Sequence, residues 1–197
     1  VRLAIIASAV GNLASVQAAV DRLGAPYDLT ADPVVIRAAS HVIFPGVGAA
    51  KAAMADVEAK GLRALLQELK QPLLGVCLGM QLLYQGSEEG GGIDCLGMIP
   101  SRIERLPDCG LTIPHMGWNQ LTLKQDAHPL LRGVSPGAYV YFVHSFYAPL
   151  GPETLASADH GVEISAVVQH GNVYGCQFHP ERSGPVGTRI LANFLEL

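Results

Sequence analysis

The segment Leu73-Leu74-Gly75-Val76-Cys77-Leu78-Gly79 constrains this chain more than any other. Leu73 to Val76 form a continuous apolar run, the pattern of a strand buried on both faces. The residues from Leu78 to Tyr84 have helical spacing, so a sharp strand-to-helix turn must carry Cys77. A G-x-C-x-G turn of this kind is the cysteine form of the nucleophile elbow. Its glycines avoid collisions with neighbouring strands, and the nucleophile is pushed up above the sheet. A helix starting at the turn brings its positive end to the sulfur and favours thiolate. A buried cysteine that only packs is the competing reading at this point.

The flanking sequence fits an α/β sheet. Leu3 to Ile6, Tyr27 to Thr30 and Val42 to Phe44 read as strands. Leu13, Val16, Val20 and Leu23 define one helix face, closed by Gly24 and Pro26. Helical pattern runs from about Ala49 to Leu69, divided at Gly61. Strand and helix alternate over the first 85 residues, which predicts a parallel sheet covered on both faces. The second half changes character. Strand-like runs near 121–123, 139–143, 164–169 and 173–178 are separated by turn residues and read as largely antiparallel. A final helix follows Gly187. No linker or repeat interrupts the 197 residues, which predicts one domain.

A cysteine nucleophile needs a base, and the base needs an orienting group. Gln177-Phe178-His179-Pro180-Glu181 supplies both at the end of a strand-like run. Pro180 stiffens the turn, so His179 and Glu181 can emerge together with the carboxylate fixing the imidazole tautomer. The other six histidines read as mostly structural. Pro45-Gly46-Val47-Gly48 follows another strand, and its glycines let backbone N–H groups approach a substrate oxygen. The N–H of Leu78 is the natural second donor.

Composition removes several classes. The net charge is −4 and charged residues are 15% of the chain, with Lys and Arg scattered, so a nucleic-acid footprint is absent. The low charge fits alanine-rich helices, or a surface hidden by a partner. Cys77, Cys95, Cys109 and Cys176 form no CxxC pair, so they read as reduced, with no metal site and a cytoplasmic location. Only Leu3 to Ile6 precede the Ala7-Ser8-Ala9 segment, too short for a secretory core, and no apolar stretch reaches membrane length.

With these motifs in place, the chain resembles the class I glutamine amidotransferases, and within them the glutaminase subunits of imidazole glycerol phosphate synthase. The resemblance spans nearly the whole sequence. It rests on the elbow, on His179-Pro180-Glu181, and on the blocks Ser87-Glu88-Glu89-Gly90, Pro114-His115-Met116-Gly117-Trp118-Asn119 and Tyr141-Phe142-Val143-His144-Ser145. It implies a three-layer α/β fold with a mixed, mostly parallel central sheet. It implies Cys77, His179 and Glu181 as catalytic triad, and Val47, Gly48 and Leu78 around the oxyanion. Glutamine would be recognised by Gly46, Gly48, Gln81, Glu89, Ser145 and Phe146. Asn12, Met116 and Trp118 would face a (βα)8-barrel cyclase subunit, which receives the ammonia; no cofactor is implied. The chain departs from the family at Ala7-Ser8-Ala9, where Asp-Tyr-Gly is usual, at Ala50 for a common Phe, and at Phe146 for a common Tyr. Two other readings stay open: a glutaminase for anthranilate or guanylate synthesis, and a binding module that keeps the fold.

Overall fold

A computed structural model describes residues 1–7, 12–125 and 127–197. Ser8 and Ala9, part of the departure from the family pattern, lie outside the described residues. The first half alternates as its sequence pattern requires: β1 (Leu3–Ile6), α1 (Leu13–Arg22), β2 (Tyr27–Thr30), α2 (Pro33–Ala38), β3 (His41–Gly46), α3 (Ala50–Ala59), α4 (Leu62–Glu68), β4 (Leu73–Cys77) and α5 (Leu78–Gln81). Gly61 divides α3 from α4 in a left-handed conformation. Helix α5 is shorter than its sequence spacing predicts. It stops at Gln81, and the chain returns to strand as β5 (Tyr84–Ser87).

The second half contains β6 (Ile93–Asp94), β7 (Ile99–Arg105), β8 (His115–Gln120), β9 (Thr122–Leu123), β10 (Tyr139–His144), β11 (Phe146–Tyr147), β12 (Thr154–Asp159), β13 (Glu163–His170), β14 (Val173–Cys176) and α6 (Gly184–Leu195). The main sheet has eight strands in the order β2-β1-β3-β4-β14-β13-β12-β9. Strands β2, β1, β3, β4 and β14 run parallel; β13, β12 and β9 continue antiparallel. Strands β8 and β10 form an antiparallel ribbon, and β11, β7, β5 and β6 a small second sheet.

Alternation along the strands sorts side chains into two cores. Leu3 and Ile5 of β1 enter one core, Ala4 and Ile6 the other; Leu74 and Leu73 of β4 divide likewise. Phe44, Phe142, Phe178 and Phe194 are fully buried, each stabilising by about 1.5–3 kcal/mol over exposure. The topological feature that matters for function is β14. It lies parallel to β4 with Cys176 opposite Val76, so both strands end at one edge of the sheet. Residues 77 and 179, far apart in sequence, therefore meet where the C-terminal ends of β3, β4 and β14 converge, the usual ligand edge of such sheets.

Candidate active site

The elbow is strained as its motif requires. Cys77 has φ 53° and ψ −112°, and among the described non-glycine residues it alone has positive φ. Such a conformation costs about 1–3 kcal/mol and persists only where surroundings impose it. They do so here through close backbone approach. A Cβ on Gly79 would stand 1.9 Å from the Phe44 carbonyl oxygen, and one on Gly75 would stand 2.6 Å from Met80 Cα. Because α5 is a four-residue turn, the dipole reaching Cys77 is that of one turn and smaller than the sequence pattern predicts.

Cys77 lines a cavity of about 350 Å³ together with Val47, Gly48, Leu78, Gln81 and Glu89 on one side and Val143 to Phe146 and His179 on the other. That volume suits a small metabolite. His179 is buried, and its Nδ1 lies 2.8 Å from Glu181 Oε1. The carboxylate therefore fixes the proton on Nδ1 and leaves Nε2 toward the thiol. No partner of Nε2 meets hydrogen-bond geometry among the described residues, yet Cys77 is near enough to act on the ring. Burial works against an imidazolium here. Interaction with Cys77 and Glu181 overcomes it and raises the His179 pKa to about 10. The Cys77 sulfur also has Gln177 Nε2 at 3.8 Å and the Val143 carbonyl at 3.7 Å.

The residues expected around glutamine divide into two groups. Gly48, Gln81, Glu89, Ser145 and Phe146 line the cavity. Gln81 Nε2 donates to the Phe146 carbonyl at 2.8 Å and to Gln177 Oε1 at 2.9 Å, and Glu89 accepts from Ala50 N–H at 3.0 Å. Gly46 does not line it. It is paired with Cys77 in the sheet and pressed on the turn, where a Cβ would lie 2.7 Å from Gly79 N. That close approach packs the strand end beneath the elbow.

The interface candidates also separate. Met116 and Trp118 are 62% and 56% exposed on β8, on the same face of the ribbon as Tyr139, which is 54% exposed. Asn12 is half-buried instead and lines a narrow crevice behind the triad with Val47, His179 and Glu181. The motifs alone do not mark Gln177, His144 or Val143 as site residues. All three sit within the quoted blocks, but only their placement around the sulfur distinguishes them from core residues.

The family signature "Glutamine amidotransferase class-I" matches residues 5–197. The chain belongs to the class I glutamine amidotransferases. Among members of that family, it is 50% identical to the imidazole glycerol phosphate synthase subunit HisH of Xanthomonas campestris, covering 99% of this chain and 97% of that protein. It is 48% identical to the HisH subunit of Colwellia psychrerythraea, over 98% of this chain and 92% of the relative. Solved structures share the amidotransferase fold at low identity. A putative GMP synthase subunit from Thermoplasma acidophilum superposes with a TM-score of 0.77 at 14% identity, covering 100% of this chain and 92% of that one. PurLQS from Thermotoga maritima gives 0.74 at 18%, covering 99% and 97%. The three-layer α/β architecture is thus that of this amidotransferase family.

Proposed function

We propose that this chain is the glutaminase subunit of an imidazole glycerol phosphate synthase, hydrolysing glutamine and passing the ammonia to a cyclase subunit in histidine biosynthesis. The observation that carries the proposal is the strained Cys77 facing a buried His179–Glu181 pair in one small cavity. The HisH relatives, matched over almost their full length, favour this pathway over anthranilate or guanylate synthesis. The chain would act as a single domain that forms a heterodimer with its cyclase.

In the proposed reaction, the Cys77 thiol passes its proton to His179 Nε2, and the resulting sulfur anion attacks the side-chain amide carbon of glutamine. Charge developing on the carbonyl oxygen would be held by backbone N–H groups of the Val47–Gly48 turn and of Leu78. His179, held protonated well above its ordinary range, transfers its Nε2 proton to the leaving nitrogen, and ammonia departs. A glutamyl thioester remains on Cys77. The now neutral His179 takes a proton from water, whose oxygen attacks the thioester carbon, and glutamate leaves as the thiolate reforms. Glu181 stabilises the imidazolium without itself transferring a proton. Every bond change is served by Cys77, His179 and water, so the scheme calls for no metal or cofactor.

The β8–β10 ribbon lies beside the cavity, with Val143 opposite Met116 and Tyr141 opposite Trp118. Its exposed apolar face would meet the (βα)8-barrel cyclase, and Asn12 would act from behind the triad rather than at the centre of that contact. The test is Cys77→Ala in the complex with the cyclase. Glutamine-dependent synthesis should disappear while synthesis from ammonium salts continues. Retained glutamine-dependent turnover would remove Cys77 from the mechanism. Loss of both activities would point to a structural defect.

A further inference from the structure

We propose that His144 is a positioning residue for the glutamine pocket: its Nδ1–H clamps the Phe146 carbonyl, holding the Ser145–Phe146 backbone at the cavity wall, and His115 fixes the tautomer that makes this possible. The inference rests on the glutaminase reading of the cavity. The donor and acceptor roles follow one from the next. His144 Nδ1 lies 2.8 Å from the Phe146 carbonyl, which can only accept, so the His144 proton is on Nδ1. In a neutral ring Nε2 is then an acceptor, and His115 Nδ1, 2.9 Å away, must donate to it. His115 Nε2 is therefore an acceptor as well, and Asn119 Nδ2 stands 3.2 Å from it. The second Nδ2 hydrogen of Asn119 reaches the Asp159 carbonyl at 2.7 Å, and its Oδ1 accepts from Gln120 N–H at 2.8 Å. Each donor hydrogen in the chain of contacts meets one acceptor, and each acceptor is used in its proper role.

The rings are held in place by stacking. His115 lies between Phe142, with ring centres 4.6 Å apart, and His160 at 4.1 Å, both near parallel. Burial, the largest cause for both, lowers the His115 pKa to about 4 and the His144 pKa to about 3, which keeps both rings neutral as the tautomer chain needs. At the inner end, the Phe146 carbonyl accepts a second hydrogen bond from Gln81 Nε2, whose other partner, Gln177, reaches the Cys77 sulfur. The Ser145 carbonyl is engaged by Leu106 N–H at 3.0 Å. Because peptide units are planar, the Leu106 contact sets the direction of the Phe146 N–H, while the His144 contact sets the peptide on the other side of Phe146, so the two hold that cavity-wall residue between them. His144 thus governs backbone that lines the cavity without a role in bond making.

Two measurements on the complex with its cyclase test this. First, ring 15N spectra near neutral pH should show His115 and His144 each protonated on Nδ1 and bare on Nε2. A proton on Nε2 of His144, or a doubly protonated ring, overturns the clamp. Second, His144→Ala should raise KM for glutamine roughly tenfold with kcat changed far less, as expected for a shifted binding wall. His144→Asn, which offers an N–H donor near the Nδ1 position, should recover most of the loss. His115→Phe keeps the stacking shape but removes the donor, and should raise KM by a smaller factor. Thermal unfolding and alkylation of Cys77 by iodoacetamide, read by peptide mass spectrometry, identify variants that fail to fold. An unchanged KM in a folded His144→Ala, or no recovery in His144→Asn, refutes the positioning role. If the wild-type complex releases no glutamate, the glutaminase reading fails instead, and the ring spectra still decide the clamp.

Discussion

Two histidine clusters border the same cavity and are driven in opposite directions. His179 shares its site with a carboxylate 2.8 Å away and a thiol, and its pKa rises to about 10 despite burial. His144 has no carboxylate partner; burial first, and then the neighbouring histidines His115, His160 and His179, lower its pKa to about 3 against the opposing Phe146 carbonyl. Burial and neighbouring positive charge both empty an imidazole of its charge; a carboxylate or thiolate in the same pocket restores it. The difference divides the work. A histidine that holds a proton beside a sulfur can donate it to a leaving nitrogen. One that stays neutral can hold a fixed tautomer and orient backbone.

The contrast can be broken at its strongest point first. Cys77→Ala should lower glutamine hydrolysis by more than about 10³-fold, and in NMR titration the His179 pKa should fall while His144 stays neutral. A His179 pKa that does not move would mean that the thiol contributes nothing to it. Glu181→Gln keeps the shape but removes the countercharge, and should cost about 10²-fold in kcat with KM little changed. Away from the triad, Trp118→Ala should weaken cyclase binding by about 2 kcal/mol, read by titration calorimetry, without lowering the unfolding temperature. Its side chain is on the outer face of β8, whereas His115 is on the inner.

Stability against pH separates the two clusters by sign, with slopes that should be opposite. The folded pKa values of His115 and His144 lie below the unfolded value near 6.5. Their contribution is whole above about 6.5 and lost as pH falls toward 4 and 3, by up to about 1.4 kcal/mol per pH unit for each ring. His179 has the higher folded pKa, so its contribution is whole below about 6.5 and lost as pH rises through about 10. Denaturant unfolding across pH should show His144→Asn flattening the acid limb and His179→Gln the alkaline limb. The same limb flattened by both variants would contradict the opposite assignments.

Legibility in the sequence follows the strength of local patterning. Strands β1, β3 and β4 are marked by apolar runs, and helix α1 by its apolar face and clear stops at Gly24 and Pro26. Strands β7, β8 and β12 carry no such mark. Within β8, His115, Gly117 and Asn119 alternate with exposed Met116 and Trp118, so the pattern does not read as an ordinary buried strand. Helix α5 ends sooner than its pattern implies. Leu82 and Leu83 continue the apolar spacing, yet tertiary pairing of β5 with β7 takes the chain into a sheet two residues later. Cys77, His179 and Glu181 are legible because the glycines and the proline around them have no other local purpose. Gly46 is ambiguous for a related reason: a glycine under a turn and a glycine in a substrate loop look alike in sequence.

Short-range sterics and periodicity are enough to specify the elbow, the His179–Glu181 pair and the alternation that builds the parallel half of the sheet, so all three can be read along the chain. Nothing local sets β14 parallel to β4, the pairing that carries His179 from the far end of the chain to the cysteine. That pairing belongs to the assembled fold, and so does the protonation of each histidine. A side chain's charge depends on what surrounds it in three dimensions, and neighbours such as His115 and His144 are brought within 2.9 Å only when β8 pairs with β10.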